Sequence, residues 1–223
     1  MRLAPFVVAA LLVAGAARAE RVLVDGVAAV VGRRVITLTE VETEGRMVLV
    51  NRAGAKGLEQ PIDDSFRRSV LDYLLVQELL VQEARRVHGL TISEAEVDKG
   101  VATFKARFGG ARSFHAFLEE TGADEEAVRT IVRRDLTVRA LLSRVLEPAP
   151  PVADEDARRF LADNPGLLAG ASEEIRREAA REAVASRERE ARFAAYVEGL
   201  KQATEVRIVA AYARREAAPA EAP

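Results

Sequence analysis

The hydrophobic pattern of the chain changes period twice. Around Val27 to Glu42, in VAAVVGRRVITLTEVE, two short β-rich runs flank Gly32 and lead into a helix-entry signal, which predicts a hairpin. Nearly everything that follows repeats its apolar positions at helical spacing. At the far end TEVRIVAAY, Thr204 to Tyr212, returns to alternation, with Val206, Ile208 and Ala210 set between charged or smaller residues as in a strand.

The helices between these β segments are marked by their punctuation. Thr37 and Glu40 offer a capping box in which each side chain satisfies a backbone N–H, opening a helix from about Thr39 to Asn51 that stops at the Gly-rich AGAKG. Asp63 or Asp64 caps a long helix ended by Gly89. Its Leu71, Leu74, Leu75, Leu79 and Leu80 cover more than one stripe, so it packs on several sides at the centre of the core. Ser93 and Glu96 form a second capping box for a helix to Phe108. A short helix around Ser113 to Glu120 stops at Gly122, and Asp124 starts another that runs to the PAPP break at Pro148 to Pro151. Past the prolines, a short helix covers Asp154 to about Asp163. Ser172 then caps a long charged helix to about Lys201, roughly 45 Å at 1.5 Å per residue.

A lone two-stranded hairpin is marginal in water, whereas a third strand with helix cover makes a viable sheet. The β segments at opposite ends of the chain are therefore expected to pair. The fold class that results is mainly α: a helical bundle with a small antiparallel sheet made by the N-terminal hairpin and the C-terminal strand. The expected organisation is a signal peptide over 1–19, hairpin and bundle over 20–147, a linker with a short helix over 148–171, the closing helix and strand over 172–212, and a disordered tail over 213–223.

The first residues set the compartment. Arg2, the apolar Phe6 to Gly15 and the small-x-small Ala17-Arg18-Ala19 read as a cleavable secretory signal, too short to span a membrane. The mature chain is then exported without an integral span, and periplasmic in a double-membraned bacterium. Composition narrows the chemistry. A formal net charge of −2 gives no electrostatic reason to bind nucleic acid. With no cysteine and two histidines, His88 and His115, the sequence offers neither a zinc site with the usual ligands nor a thiol nucleophile, and no catalytic residue, metal or cofactor is expected. The helix EEIRREAAREAVASREREARF alternates acids and bases and reads as a solvated face laced with i,i+4 pairs.

Three segments resemble SurA-type periplasmic chaperones, in that family's order. VDGVAAVVGRRVITLTEVE is similar to its opening hairpin and helix entry. LLVQELLVQEARRVHGLTISEAEVDKGV is similar to its long apolar helix and the capped helix after it, and RFAAYVEGLKQATEVRIV to its closing helix and strand. The resemblance implies an ATP-independent holdase for unfolded polypeptides, outer-membrane β-barrel precursors by analogy, built like the substrate-binding arms of trigger factor. Members usually carry parvulin-type prolyl isomerase domains ahead of the closing helix. The interval from Glu147 to Ser172 is too short for one, since chains below about 40 residues rarely fold unaided, so isomerase activity is not carried over. The competing reading is a structural or adaptor subunit with one fixed partner. The exposed closing helix is also an element that two chains can exchange, leaving a swapped homodimer open beside a monomer.

Phe104, Phe108, Phe114 and Phe117 are the candidate client contacts. They suit a core first, yet a cleft that collects aromatics beside mobile helices is how a protein would hold unfolded chains.

Overall fold

A computed structural model describes residues 26–147 and 151–213. The expected signal peptide, Pro148, Pro150 and all of the expected tail except Ala213 lie outside the described residues. The architecture is mainly α with one small antiparallel sheet. Strand β1 (Val27–Val31) pairs with β2 (Arg34–Thr37) on one side and with β3 (Val206–Ile208) on the other, in the order β2-β1-β3. The far end of the chain does supply the missing strand: Ala29 lies opposite Ile208, Val30 opposite Arg207 and Val31 opposite Val206. Gly32 turns the hairpin at φ +57°, and its N–H donates to the Glu205 carbonyl at 2.8 Å.

Strand β3 is shorter than the Thr204 to Tyr212 that its alternation suggests. The ladder ends because the N–H groups of Val209 and Ala210 both donate to the single Ala28 carbonyl, at 2.9 Å each, where β1 has a register shift. The chain then folds into a 3-10 turn over Ala211–Ala213 and lays Ala210 and Ala213 in the core. Ala213, expected as the first residue of the tail, is thus buried.

Among the described residues seven α-helices follow the hairpin: α1 (Leu38–Ala53), α2 (Asp64–Ala84), α3 (Glu94–Ala106), α4 (Ala111–Thr121), α5 (Glu125–Leu146), α6 (Asp154–Asp163) and α7 (Glu173–Ala203). Ser93 and Glu96 form the full reciprocal box on α3, and Asp63, Asp124 and Ser172 cap α2, α5 and α7. At α1 only half the expected box exists. The Thr37 hydroxyl accepts from Glu40 N–H at 3.1 Å, but the Glu40 carboxylate turns to Arg34 and Arg134, because an ion pair outweighs a second cap bond. The AGAKG segment is not an open loop but part of a 3-10 helix, Gly54–Glu59, packed on α1. A Cβ on Gly57 would stand 2.4 Å from the Leu49 carbonyl carbon, so only glycine permits that approach.

Three apolar clusters form the core. Leu71, Leu74 and Leu79 of α2 pack under the sheet with Ala28, Val31, Ile36 and Ala210. Met47, Val50, Val97, Val128 and Ile131 surround the four phenylalanines between α1, α3, α4 and α5. Leu80, Ala84, Val138, Leu141 and Val197 close α2 and α5 against the C-terminal half of α7. Helix α2 takes part in the first and third, which is why its apolar residues cover several stripes.

Candidate functional site

One open space in the bundle lies between α1, α3 and α5, a cleft of about 560 Å³. Met47, Gly100, Phe104, Val132 and Leu136 give it an apolar lining, and Asn51, Glu96, Lys99, Arg107 and Arg139 a polar one. Gly100 sets the closeness of its walls: a Cβ there would stand 2.5 Å from Val132 Cγ1, so a larger residue would push α3 off α5. The C-terminal half of α7, by contrast, is sealed against the bundle by Val197 and its neighbours.

The four phenylalanines do come together, but inward. Phe104, Phe108, Phe114 and Phe117 are 4%, 3%, 4% and 0% exposed. Their rings meet mostly edge to face, with centroids 5.2 Å apart for Phe104 and Phe108 and 5.6 Å for Phe104 and Phe117. Only Phe104 reaches the cleft; in this conformation the other three are core. His88 and His115 are both exposed. The first offers its carbonyl to Arg144, and the second places Nδ1 at 2.8 Å from the Ala111 carbonyl. Among the described residues no group of three or more His, Asp or Glu is placed to hold a metal ion.

Behind the cleft runs a buried charge network that the sequence pattern did not disclose. Arg134 of α5 donates to Glu40 at 3.1 Å and to Glu44, while Tyr73 of α2 donates to Asp135 at 3.2 Å. Two carboxylates thus share one buried guanidinium, with the Asp135 charge close to it. Glu44 is 3% exposed, and burial pushes its carboxyl up to about 7 despite Arg134, with Asp135 and Glu40 adding to the rise. Burial likewise raises Asp135 and the Tyr73 phenol. Because the folded state holds the Glu44 proton more tightly than the unfolded state does, its contribution to stability is complete below about pH 4.5 and lost as pH rises through 7. Between those limits it changes stability by on the order of 3 kcal/mol, at about 1.4 kcal/mol per unit of pKa. Glu44→Gln is expected to flatten that slope in urea titrations across this range. An unchanged slope would mean that Glu44 stays ionised throughout.

Helices α6 and α7 form an arm. Helix α6 packs on α7 through Ala157 and Ala180, with Asp154 bound to Arg181 at 2.7 Å and Arg187 lying over the Phe160 ring at 4.5 Å. At its tip the loop 164–172 is pinned by Arg176, which donates to the carbonyls of Leu167 and Pro165 at 3.1 Å each. Leu168 there adopts φ +47°, a left-handed conformation that costs a non-glycine residue about 1–2 kcal/mol. Leu168 is 47% exposed, and Ile175 in the first turn of α7 55%. The pinned loop thus holds Leu168 in water at the start of α7, whose first turn exposes Ile175. Further exposed apolar residues, Val27, Val35, Leu38 and Ile208, belong to the sheet and its margin.

Comparison with known proteins agrees with this architecture. The model of the SurA N-terminal domain matches residues 24–142, from the hairpin to the last turns of α5. Proteins named Chaperone SurA are similar to the chain. That of Bordetella pertussis is 29% identical over 63% of this chain and 27% of its own length. Those of Pseudomonas syringae pv. tomato and Aromatoleum aromaticum are each 28% identical, over 70% and 74% of this chain and 36% and 38% of their own lengths. The chain therefore spans roughly a quarter to two fifths of the length of these relatives. With its family model covering more than half of it, the chain belongs to the SurA N-terminal domain family.

Proposed function

We propose that the protein is an ATP-independent periplasmic chaperone that holds unfolded polypeptides, outer-membrane protein precursors among them, and has no prolyl isomerase activity. Family membership and relatives named chaperones support the class. The observation that carries the mechanism is the arm tip, where Arg176 fixes the loop in which Leu168 stays in water, and where Ile175 in the first turn of α7 is exposed as well. Apolar side chains held in water there are available to the apolar groups of a client. The cleft floored by Phe104 is the second contact region of this proposal, with Phe108, Phe114 and Phe117 available to a client only if α3 and α4 part from α5.

Holding of this kind is physical. Burying about 300 Å² of client apolar surface yields roughly 7 kcal/mol before ordering costs, at about 25 cal/mol per Å². Micromolar or weaker binding remains once those costs are subtracted. Reversible capture lowers the concentration of aggregation-prone chain without a covalent step. Isomerisation is a different task, with a barrier of about 18–20 kcal/mol that calls for an enclosed proline pocket. Between α5 and α7 the chain has α6 and its loops, too little to build an independent domain.

A client whose refolding is limited by proline isomerisation tests both halves. Stoichiometric chaperone is expected to raise the yield of soluble client, and substoichiometric chaperone to leave the slow phase at its uncatalysed rate. Acceleration of that phase would overturn the second half, and unchanged aggregation at stoichiometric ratio the first.

A further inference from the structure

The hairpin turn, the C-terminal end of α2 and the middle of α5 border two joined cavities of about 350 and 620 Å³, which share Arg34, Glu78 and Arg85. Their lining carries six arginines beside Glu40, Glu78 and Glu205. Four of the six are already matched: Arg34 to Glu40 at 2.8 Å, Arg86 to Glu83 at 3.2 Å, Arg133 to Glu94 at 2.8 Å, and Arg134 to Glu40 and Glu44. Arg33 and Arg85 have no carboxylate partner among the described residues, and both line the larger cavity. The smaller one offers aliphatic surface from Val81, Ala84 and Leu90 beside Arg85.

We propose that this cleft binds an acidic segment of polypeptide, with a carboxylate taken by Arg85 and Arg33 and a neighbouring apolar side chain seated on Val81 and Leu90. Two free guanidinium groups suit one or two carboxylates, which they can bind through paired N–H donors. They do not suit a phosphodiester chain, which needs a longer run of unpaired cations than these two. The aliphatic patch beside the charge adds a requirement that a free inorganic anion cannot meet. The proposal uses the chaperone reading only for the source of the peptide, a client chain. The cleft is separate from the arm tip and from the cavity at Phe104, so it confers a preference among clients rather than the capacity to hold them.

The two readings separate by salt. A short labelled peptide with Glu between leucines, and the same peptide with Gln, are titrated onto the full chain at about 50 mM and about 500 mM salt, a change that shortens the screening length several-fold. The acidic peptide is expected to bind at least about tenfold tighter at low salt, with the difference gone at high salt. The Arg33→Gln/Arg85→Gln variant loses the preference, while its capture of unfolded protein at high salt and its melting stay as in the parent, since both residues are exposed. Equal binding of the two peptides, a preference that survives in the variant, or displacement of the acidic peptide by an equal concentration of inorganic phosphate would each overturn the proposal. An acidic preference without any capture of unfolded protein would leave the cleft standing and remove the chaperone reading.

Discussion

Truncation after Gln202 is expected to abolish cooperative folding of the whole domain, not merely to shorten its end. The cut removes β3 and with it the second neighbour of β1. It also removes Ala210 and Ala213 from the cluster under α2, and the Tyr212 carbonyl that accepts from Arg68 Nε at 2.8 Å. What remains of the sheet is a hairpin, which is marginal without a third strand. Several backbone hydrogen bonds at about 1 kcal/mol each, plus the lost burial, amount to roughly 5 kcal/mol or more. That approaches the entire stability of an ordinary domain, about 5–15 kcal/mol. Urea unfolding followed by circular dichroism measures it. A truncated chain with the same midpoint and cooperativity would show that β3 is an accessory to the fold.

The second large effect falls on Phe117. It is fully buried and its ring centroid lies 5.4 Å from that of Phe108 and 6.1 Å from that of Phe114. Phe117→Ala is expected to cost about 3–5 kcal/mol, through lost transfer energy and the cavity left among the remaining rings. Leu168→Ser at the arm tip should by contrast stay within about 0.5 kcal/mol, as surface substitutions do. Denaturant midpoints of the two variants decide this. A Phe117→Ala cost below about 1 kcal/mol would mean that α4 is not packed as described, since so small a loss is not what a buried aromatic gives.

That contrast shows where sequence reasoning stops. The aromatic spacing from Phe104 to Phe117 correctly brings the rings together, but spacing cannot say whether such a cluster faces a cleft or a core. Burial is decided by α1 and α5, which are distant in sequence. Caps were legible because they are local: Ser93 and Glu96 stand three positions apart, as N-cap and N3 of one helix. Thr37 with Glu40 failed as a reciprocal pair because Arg134, about ninety residues on, competes for the carboxylate. The same long-range contact explains why Glu44 gave no signal. In α1 a buried glutamate at that position looks like any solvated one until its partner is placed. The pairing of the two chain ends was legible because an unpaired hairpin is an unsatisfied structure, whereas the length of β3 depended on the bend at Ala28. At the arm tip Pro165-Gly166 marks the stop of α6 in the sequence. The exposure of Leu168 was not legible, since the loop that carries it is held by Arg176 from the next helix.

The central claim is that the protein holds unfolded chains by apolar contact, and its most direct test is binding of permanently unfolded polypeptides to the full chain and to the Leu168→Ser/Ile175→Ser variant. Several unrelated unfolded sequences without acidic clusters are expected to bind with micromolar-range affinity, changing little between about 50 mM and about 500 mM salt because screening acts on charges rather than on apolar burial. The variant should bind about tenfold more weakly at an unchanged melting temperature, the equivalent of about 1.4 kcal/mol. Affinity that collapses over that salt range, a folded variant that binds as tightly as the parent, or tight binding confined to one folded partner would contradict the account, and the last result would mark the protein as an adaptor instead.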